Sequence, residues 1–178
     1  MLEIEKTYLL KEIPAGLAEA RRVRISDKYV PIGGEHPRLR IREMGDKLEM
    51  TKKVRTHDTA SIQEEHTIPL SADELVAFKD VPGYELRKFR HYLPWNGREV
   101  EVDLYLGPHE GLGVAELEFE TREAMEAGEV PDFCGADVSE EDLVAAGYLS
   151  EKTFDEIKDA LRARYGYEPL ALPAELKN

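Results

Sequence analysis

The sequence predicts an α+β protein in which eight antiparallel strands close into a barrel, forming a tunnel, with outer helices and a C-terminal helical segment. Three observations predict it. Strand-like segments follow one another through the first two-thirds of the chain with short turns between them, which favours antiparallel pairing. Nearly every one of these segments has an apolar face and a charged face. From about residue 120 the spacing becomes helical, bounded by cap and stop residues. Eight strands are enough for closure, and closure leaves no exposed edge.

The elements follow in order. Residues 2–10 (LEIEKTYLL) form the first strand, with Ala15–Ala20 as a helical turn after it. Arg21–Pro31 is the second strand, and IGGEHP behind it is a turn cluster. Arg38–Glu43 alternates cleanly, and a Gly-Asp turn leads into Lys47–Val54, giving a hairpin. Ala60–Pro69 is the fifth strand. In Ser71–Lys79, Ser71 precedes Glu74 by three residues, the spacing of a capping box, so this stretch is a short helix. Tyr84–Pro94 and Arg98–Leu106 make a second hairpin across Trp-Asn-Gly, and Val114–Arg122 follows the loop GPHEGLG. TREAMEAG, SEEDLVAAG and SEKTFDEIKDALRARYG then read as helices, with serines at the caps and glycines at the stops. No repeat, low-complexity tract or linker interrupts the chain, and residues 1–178 read as one domain.

Side chains alternate between the faces of a strand. In the first strand Glu3, Glu5 and Thr7 share one face, and Leu2, Ile4 and Tyr8 the other. Arg38, Arg40 and Arg42 oppose Leu39 and Ile41; Gln63, Glu65 and Thr67 oppose Ile62 and Ile68. Lys88 and Arg90 oppose Phe89; Glu99, Glu101 and Asp103 oppose Val100, Val102 and Leu104; Glu116, Glu118 and Glu120 oppose Ala115, Leu117 and Phe119. The fourth strand sets Leu48, Met50 and Lys52 against Lys47, Glu49 and Thr51 less cleanly. Any one strand fits a wet face and a dry face. The set does not, because the polar faces are almost purely charged and the charges segregate, carboxylates on the first and last strands and cations between. With those faces inward, the lumen holds both clusters, and the apolar faces point outward for the tail helices to cover. Carboxylate clusters bind hard divalent cations, and arrayed arginines and lysines bind phosphate oxygens. Phosphoryl transfer uses both.

Composition bounds the alternatives. The chain carries a formal net charge of −13, which argues against nucleic acid or an anionic membrane as a partner. Its first hundred residues nevertheless hold 18 of the 24 Lys and Arg. No apolar run approaches the roughly 18 residues needed to span a bilayer. No leader is evident, and the single cysteine, Cys134, fits a reducing compartment, so the cytoplasm is expected.

Taken together the motifs resemble those of the CYTH family, the triphosphate tunnel metalloenzymes, from residue 2 to about 165. The E-x-E-x-K hallmark is similar to Glu3, Glu5 and Thr7, with Thr7 in place of the lysine. R-x-R resembles Arg40 and Arg42, and the lysine after it resembles Lys52. Glu65 precedes the mid-chain Ile-Pro; Lys88 and Arg90 resemble K-x-R, Glu101 and Asp103 resemble E-x-D, and Glu116, Glu118 and Glu120 form the last acidic strand. The resemblance implies a tunnel holding Mg²⁺ or Mn²⁺ and a small triphosphate. Glu3, Glu5, Glu116 and Glu118 would be the leading metal ligands, supported by Asp103, Glu65 and Glu120. Arg40, Arg42, Lys52, Lys88 and Arg90 would hold phosphates, with Glu3, Glu5, Lys88 and Arg90 as the catalytic set. Thr7 would donate a hydrogen bond without adding charge. Lys152 stands where relatives place a basic residue on a helix plugging the tunnel, or it is an ordinary helix-start lysine. The family also admits a homodimer.

The implied activity is metal-dependent hydrolysis of inorganic triphosphate or a related triphosphate. The alternatives are an adenylyl cyclase on the same scaffold, a non-catalytic polyphosphate or nucleotide-binding module, and a charged domain with no anion site. Other signals point elsewhere less well. GPHEGLG lacks the Lys-Ser/Thr of a P-loop and reads as a connection. His36, His57 and His109 fall in loops and His66 and His91 on outward positions, so surface roles are expected of them. Arg21, Arg22 and Arg24 read as a solvated face or a tunnel-mouth contact, and Cys134 as a small core residue.

Overall fold

The computed structural model describes residues 2–35, 39–55 and 61–177, so Arg38, His36, His57 and Ala60 lie outside the described residues. Eight strands close into an antiparallel barrel: β1 (Leu2–Leu10), β2 (Arg21–Val30), β3 (Leu39–Met44), β4 (Lys47–Arg55), β5 (Ile62–Pro69), β6 (Tyr84–Trp95), β7 (Arg98–Tyr105) and β8 (Gly113–Glu118). Around the ring they run β1-β5-β4-β3-β2-β6-β7-β8 and back to β1. Closure falls on β1, whose start pairs with β5 (Glu3 opposite Gln63) and whose middle pairs with β8 (Glu5 opposite Glu118). A ninth strand, β9 (Cys134–Asp137), lies outside the ring against the end of β1. The sequence reads that stretch as a turn, because four residues around a glycine carry little strand signal.

The turn chemistry matches the two hairpins. Gly45, at φ +59°, supplies the first position of the two-residue β3–β4 turn. Asn96 and Gly97 both have positive φ between β6 and β7, as a type I′ turn requires.

Among the described residues there are five α-helices: α1 (Ala72–Ala77), α2 (Arg122–Ala127), α3 (Ala146–Leu149), α4 (Phe154–Tyr165) and α5 (Ala174–Lys177). Ser71 and Glu74 form the expected capping box on α1. β8 stops at Glu118, short of the Arg122 expected from sequence, because Thr121 caps α2 by accepting from the Ala124 N–H at 3.1 Å. The cap of α4 is Thr153, whose N–H and hydroxyl both donate to Glu156 (2.7 and 3.0 Å), rather than Ser150. Ser150 instead closes the end of α3 by donating to the Gly147 carbonyl. Gly166, at φ +65°, ends α4 in the left-handed conformation.

The barrel interior changes along its axis. At one end the inward residues are apolar: Leu9, Tyr29, Leu86, Tyr105 and Val114. Leu149 of α3 and Phe154, Ile157 and Leu161 of α4 pack on them. α4 therefore stops one end of the lumen, where the sequence expects the tail helices on the outer wall. Removing Leu161 or Leu149 to alanine, both 0% exposed, would cost about 2–5 kcal/mol. The outer wall of β1, β6, β7 and β8 forms a second cluster with Leu17, Cys134, Leu172 and Leu176. It is covered by the turn after β1, by β9 and by the C-terminal stretch ending in α5. Cys134 is the small core residue expected.

Two histidines expected at the surface are buried. His109 lies in the loop before β8 with Nε2 2.9 Å from the Leu149 carbonyl and 2.7 Å from that of Lys152, which makes Nε2 the donor and ties the loop to the plug. Tyr167 completes the tie: its hydroxyl donates to the Gly111 carbonyl and accepts from the Gly113 N–H, both at 2.9 Å. His91 sits on the outer face of β6 opposite Val102, fully buried, with neither ring nitrogen in a hydrogen bond among the described residues.

Candidate active site in the barrel lumen

The charged part of the lumen is a cavity of about 700 Å³. Odd-numbered residues of β1 and β4 and even-numbered residues of β3, β6 and β8 face it, as strand alternation dictates. Of the residues expected in a site, Glu3, Glu5, Thr7, Arg40, Arg42, Glu65, Lys88, Arg90, Glu116 and Glu118 all line it. The plug contributes Val144, Ala145, Ala146, Gly147 and Tyr148.

Four expected residues stand elsewhere. Lys52 is exposed on the outer face of β4, and Lys53 faces the cavity instead. Parity carries that signal: with Leu48 and Met50 outward, Lys52 must follow them. Glu120 lies beyond the end of β8 and is exposed. Lys152 is half-buried beside the ring of Tyr148, 5.9 Å away, and it is Tyr148 that reaches the cavity. Asp103 is fully buried on the inner face of β7, covered by Lys88 and by Arg90 (2.8 and 2.7 Å) to which it is bonded, so it is a counterion rather than an open ligand. Its carboxyl is held far below the ordinary range: burial pushes it up, but Arg90 and Lys88 outweigh burial. Lys6 points outward to Asp137 of β9, 3.1 Å away, and so does not fill the lysine position left by Thr7.

A residue not singled out from sequence does the same for Arg42. Asp27 of β2 accepts both Arg42 Nε (2.7 Å) and Nη2 (2.8 Å), and the two side chains are 1% and 8% exposed. The signal was a carboxylate between Ile25 and Tyr29 on an otherwise apolar face. Tyr29 and Tyr105 also reach the cavity. Arg40 is less occupied. Its guanidinium is 3.9 Å from Glu65, and its buried Nε has no hydrogen-bond partner. Glu65 is also fixed by the Thr67 hydroxyl at 2.7 Å.

Glu3, Glu5, Glu65, Glu101 and Glu116 gather on two cations. Lys53 is hydrogen-bonded to Glu3 and lies 3.7 Å from Glu5 and 3.6 Å from Glu65. Arg90 is bonded to Glu101 and Glu116 as well as Asp103. Among the described residues, nine acidic side chains and five basic ones line the cavity, so negative charge is in excess there. Burial raises Glu5 to about 7 against the pull of Lys53, with Glu116 and Glu3 adding repulsion. Burial likewise raises Glu101 to about 7 against Arg90, with Glu116 again repelling. A cation would relieve this repulsion. The donors are all carboxylate oxygens, the chemistry that Mg²⁺ and Mn²⁺ prefer, so the residues fit such an ion in kind. Among the described residues no three of them converge on one point that would hold it, because Lys53 and Arg90 draw them aside.

No family model and no curated protein matches the chain. Among solved structures it is similar to the crystal structure of the hypothetical protein NE1496, with a TM-score of 0.63 at 23% identity over 85% of this chain and 99% of that one. It is similar to the crystal structure of the inorganic triphosphatase NE1496 with a TM-score of 0.61, again at 23% identity, over 83% and 93%. At this identity the likeness is one of fold.

Proposed function

We propose that this chain, which has the triphosphate tunnel fold of the CYTH family, is a metal-dependent hydrolase of inorganic triphosphate or a related linear triphosphate. One observation carries the reading: one cavity in the barrel lumen is faced at once by Arg40, Arg42, Lys53, Lys88 and Arg90 and by the carboxylates of β1 and β8. Three of those cations are fixed by fully buried carboxylates beside them on the inner face of the barrel, Arg42 by Asp27 and Lys88 with Arg90 by Asp103. Cations positioned before substrate arrives stabilise developing phosphate charge without reorganising. Arg40 brings a buried donor that is still unbonded. The solved structure named an inorganic triphosphatase shares the fold, which supports the reading.

Glu3, Glu5, Glu116 and Glu118 would hold Mg²⁺ or Mn²⁺. The ion, when bound, would polarise phosphate oxygens and lower the pKa of a water. The chain's own groups do the rest. Arg40, Arg42, Lys88 and Arg90 clamp the phosphates in line, and the apolar plug of α3 and α4 closes the far end against bulk water. Thr7 favours a second reading, a binding module without turnover, because it faces the cavity where the resemblance expects a charge.

The test is phosphate release from tripolyphosphate with Mg²⁺ or Mn²⁺ and no nucleotide, alongside thermal shifts with the same ligands. Turnover of tripolyphosphate supports the hydrolase. Stabilisation without turnover of any triphosphate supports the binding module. Cyclic AMP and pyrophosphate from ATP would replace the proposal with a cyclase, and neither stabilisation nor turnover would overturn every triphosphate reading.

A further inference from the structure

The cavity cations differ in what holds them. Arg42, Lys88 and Arg90 each keep a carboxylate, Asp27 or Asp103, that is buried on the inner face of the barrel and does not line the cavity. Lys53 has none among its ion pairs. Its partners are Glu3, Glu5 and Glu65, all facing the cavity, and the first two are leading ligands in the proposed reading. These carboxylates come from β1 and β5, and β5 pairs with both β1 and β4, so the lysine draws the closing seam of the barrel together. Thr7 supplies no second ammonium beside them.

We propose that Lys53 is an internal stand-in for the divalent cation: it neutralises Glu3 and Glu5 until a metal ion loads, and must then release them. Two cations on the same carboxylate oxygens repel each other, the more so in a half-buried site where water screens them less than in bulk. Lysine suits the exchange, being a point charge on a flexible stem rather than a planar fork locked into two bonds. Released from Glu3 and Glu5, its ammonium is free to turn to a phosphate oxygen, so metal and triphosphate reinforce each other's binding through this one side chain. The inference rests on the metal-dependent reading above.

The test uses Mn²⁺ alone, titrated by calorimetry into the full chain, with no triphosphate present. Lys53→Gln removes the competitor and should bind Mn²⁺ about tenfold more tightly than the wild type. Lys158→Gln, which removes a partly exposed charge on α4 that is paired with Asp155 and does not line the cavity, should bind as the wild type does. Equal or weaker binding by Lys53→Gln, with the wild type binding Mn²⁺, overturns the inference and leaves the hydrolase reading standing. No binding by any variant overturns the metal reading and this inference with it. A second measurement needs no variant at all. Reductive methylation of the wild type, mapped by mass spectrometry, should find Lys53 protected without metal and several times more reactive with saturating Mg²⁺. Unchanged or lower reactivity at Lys53 would count decisively against release.

Discussion

Asp27→Asn removes the carboxylate that, among the described residues, is bonded to Arg42, while keeping the shape of the side chain. Both partners are nearly inaccessible, and the pair makes two bonds of 2.7 and 2.8 Å. Breaking a buried ion pair from one side costs about 3–5 kcal/mol, because the remaining charge stays buried without its counterion. Asparagine still offers one acceptor, so the low end, about 3 kcal/mol, is the figure to expect. With a urea slope of about 2 kcal/mol/M, the unfolding midpoint should fall by about 1.5 M. The pH dependence has a defined sign. Burial pushes the Asp27 carboxyl up, but Arg42 outweighs burial and holds it below its ordinary value. The stabilisation is thus present above the unfolded-state pKa of about 3.9 and is lost as pH falls through the lower folded-state value. The gap between wild type and variant should stay flat from about pH 8 to about pH 5 and narrow only below about pH 4. Urea unfolding followed by circular dichroism at several pH values measures both quantities. A loss under about 1 kcal/mol, or a gap that closes already near neutral pH, would refute the claim that a buried charge pair anchors Arg42.

Three further predictions concern single side chains. Arg40→Gln should leave stability within about 1 kcal/mol, since Arg40 has only a distant ion pair, yet weaken tripolyphosphate binding about tenfold or more by calorimetry; a large stability loss with unchanged binding would reverse its role. Thr7→Lys should raise tripolyphosphate affinity about tenfold, and unchanged affinity would mean that Thr7 does not meet the phosphates. His91 is held below the ordinary histidine range by burial, so its neutral form is the one that folds. Wild-type stability should therefore decline as pH falls below about 6.5, the unfolded-state value, and His91→Leu should remove that part of the decline; parallel pH curves for the two proteins would rule it out.

Much of the fold was legible because strand alternation is a local property. Glu3, Glu5, Arg40, Arg42, Lys88, Arg90 and Glu116 each declare a face by parity alone, and that face proves to be the lumen. The turn residues were equally local, as Gly45 and Asn96-Gly97 show. What could not be read was pairing across the sheet. Asp27 stands opposite Arg42, and Asp103 opposite Arg90, in the strand register. That register is fixed only when the ring closes. A carboxylate that caps an arginine and one that waits for a metal look alike in one strand. The same limit hid His109 and Tyr167, whose partners lie 40 to 56 residues away.

The fourth strand shows how the two kinds of information combine. Leu48 and Met50 fix its outer face, so Lys53 rather than Lys52 belongs in the lumen, and this follows from sequence once the face is chosen. What Lys53 does there follows only from closure, which sets β5 between β4 and β1 and so puts Glu3, Glu5 and Glu65 around one ammonium. The opening pair of carboxylates, Glu3 and Glu5, would repel each other as a bare wall. Barrel closure supplies a lysine from three strands away around the sheet's sequence order but only two around the ring. The acidic excess at this seam is thereby held by a single flexible side chain, which is why the proposed exchange for a divalent cation is tested at Lys53.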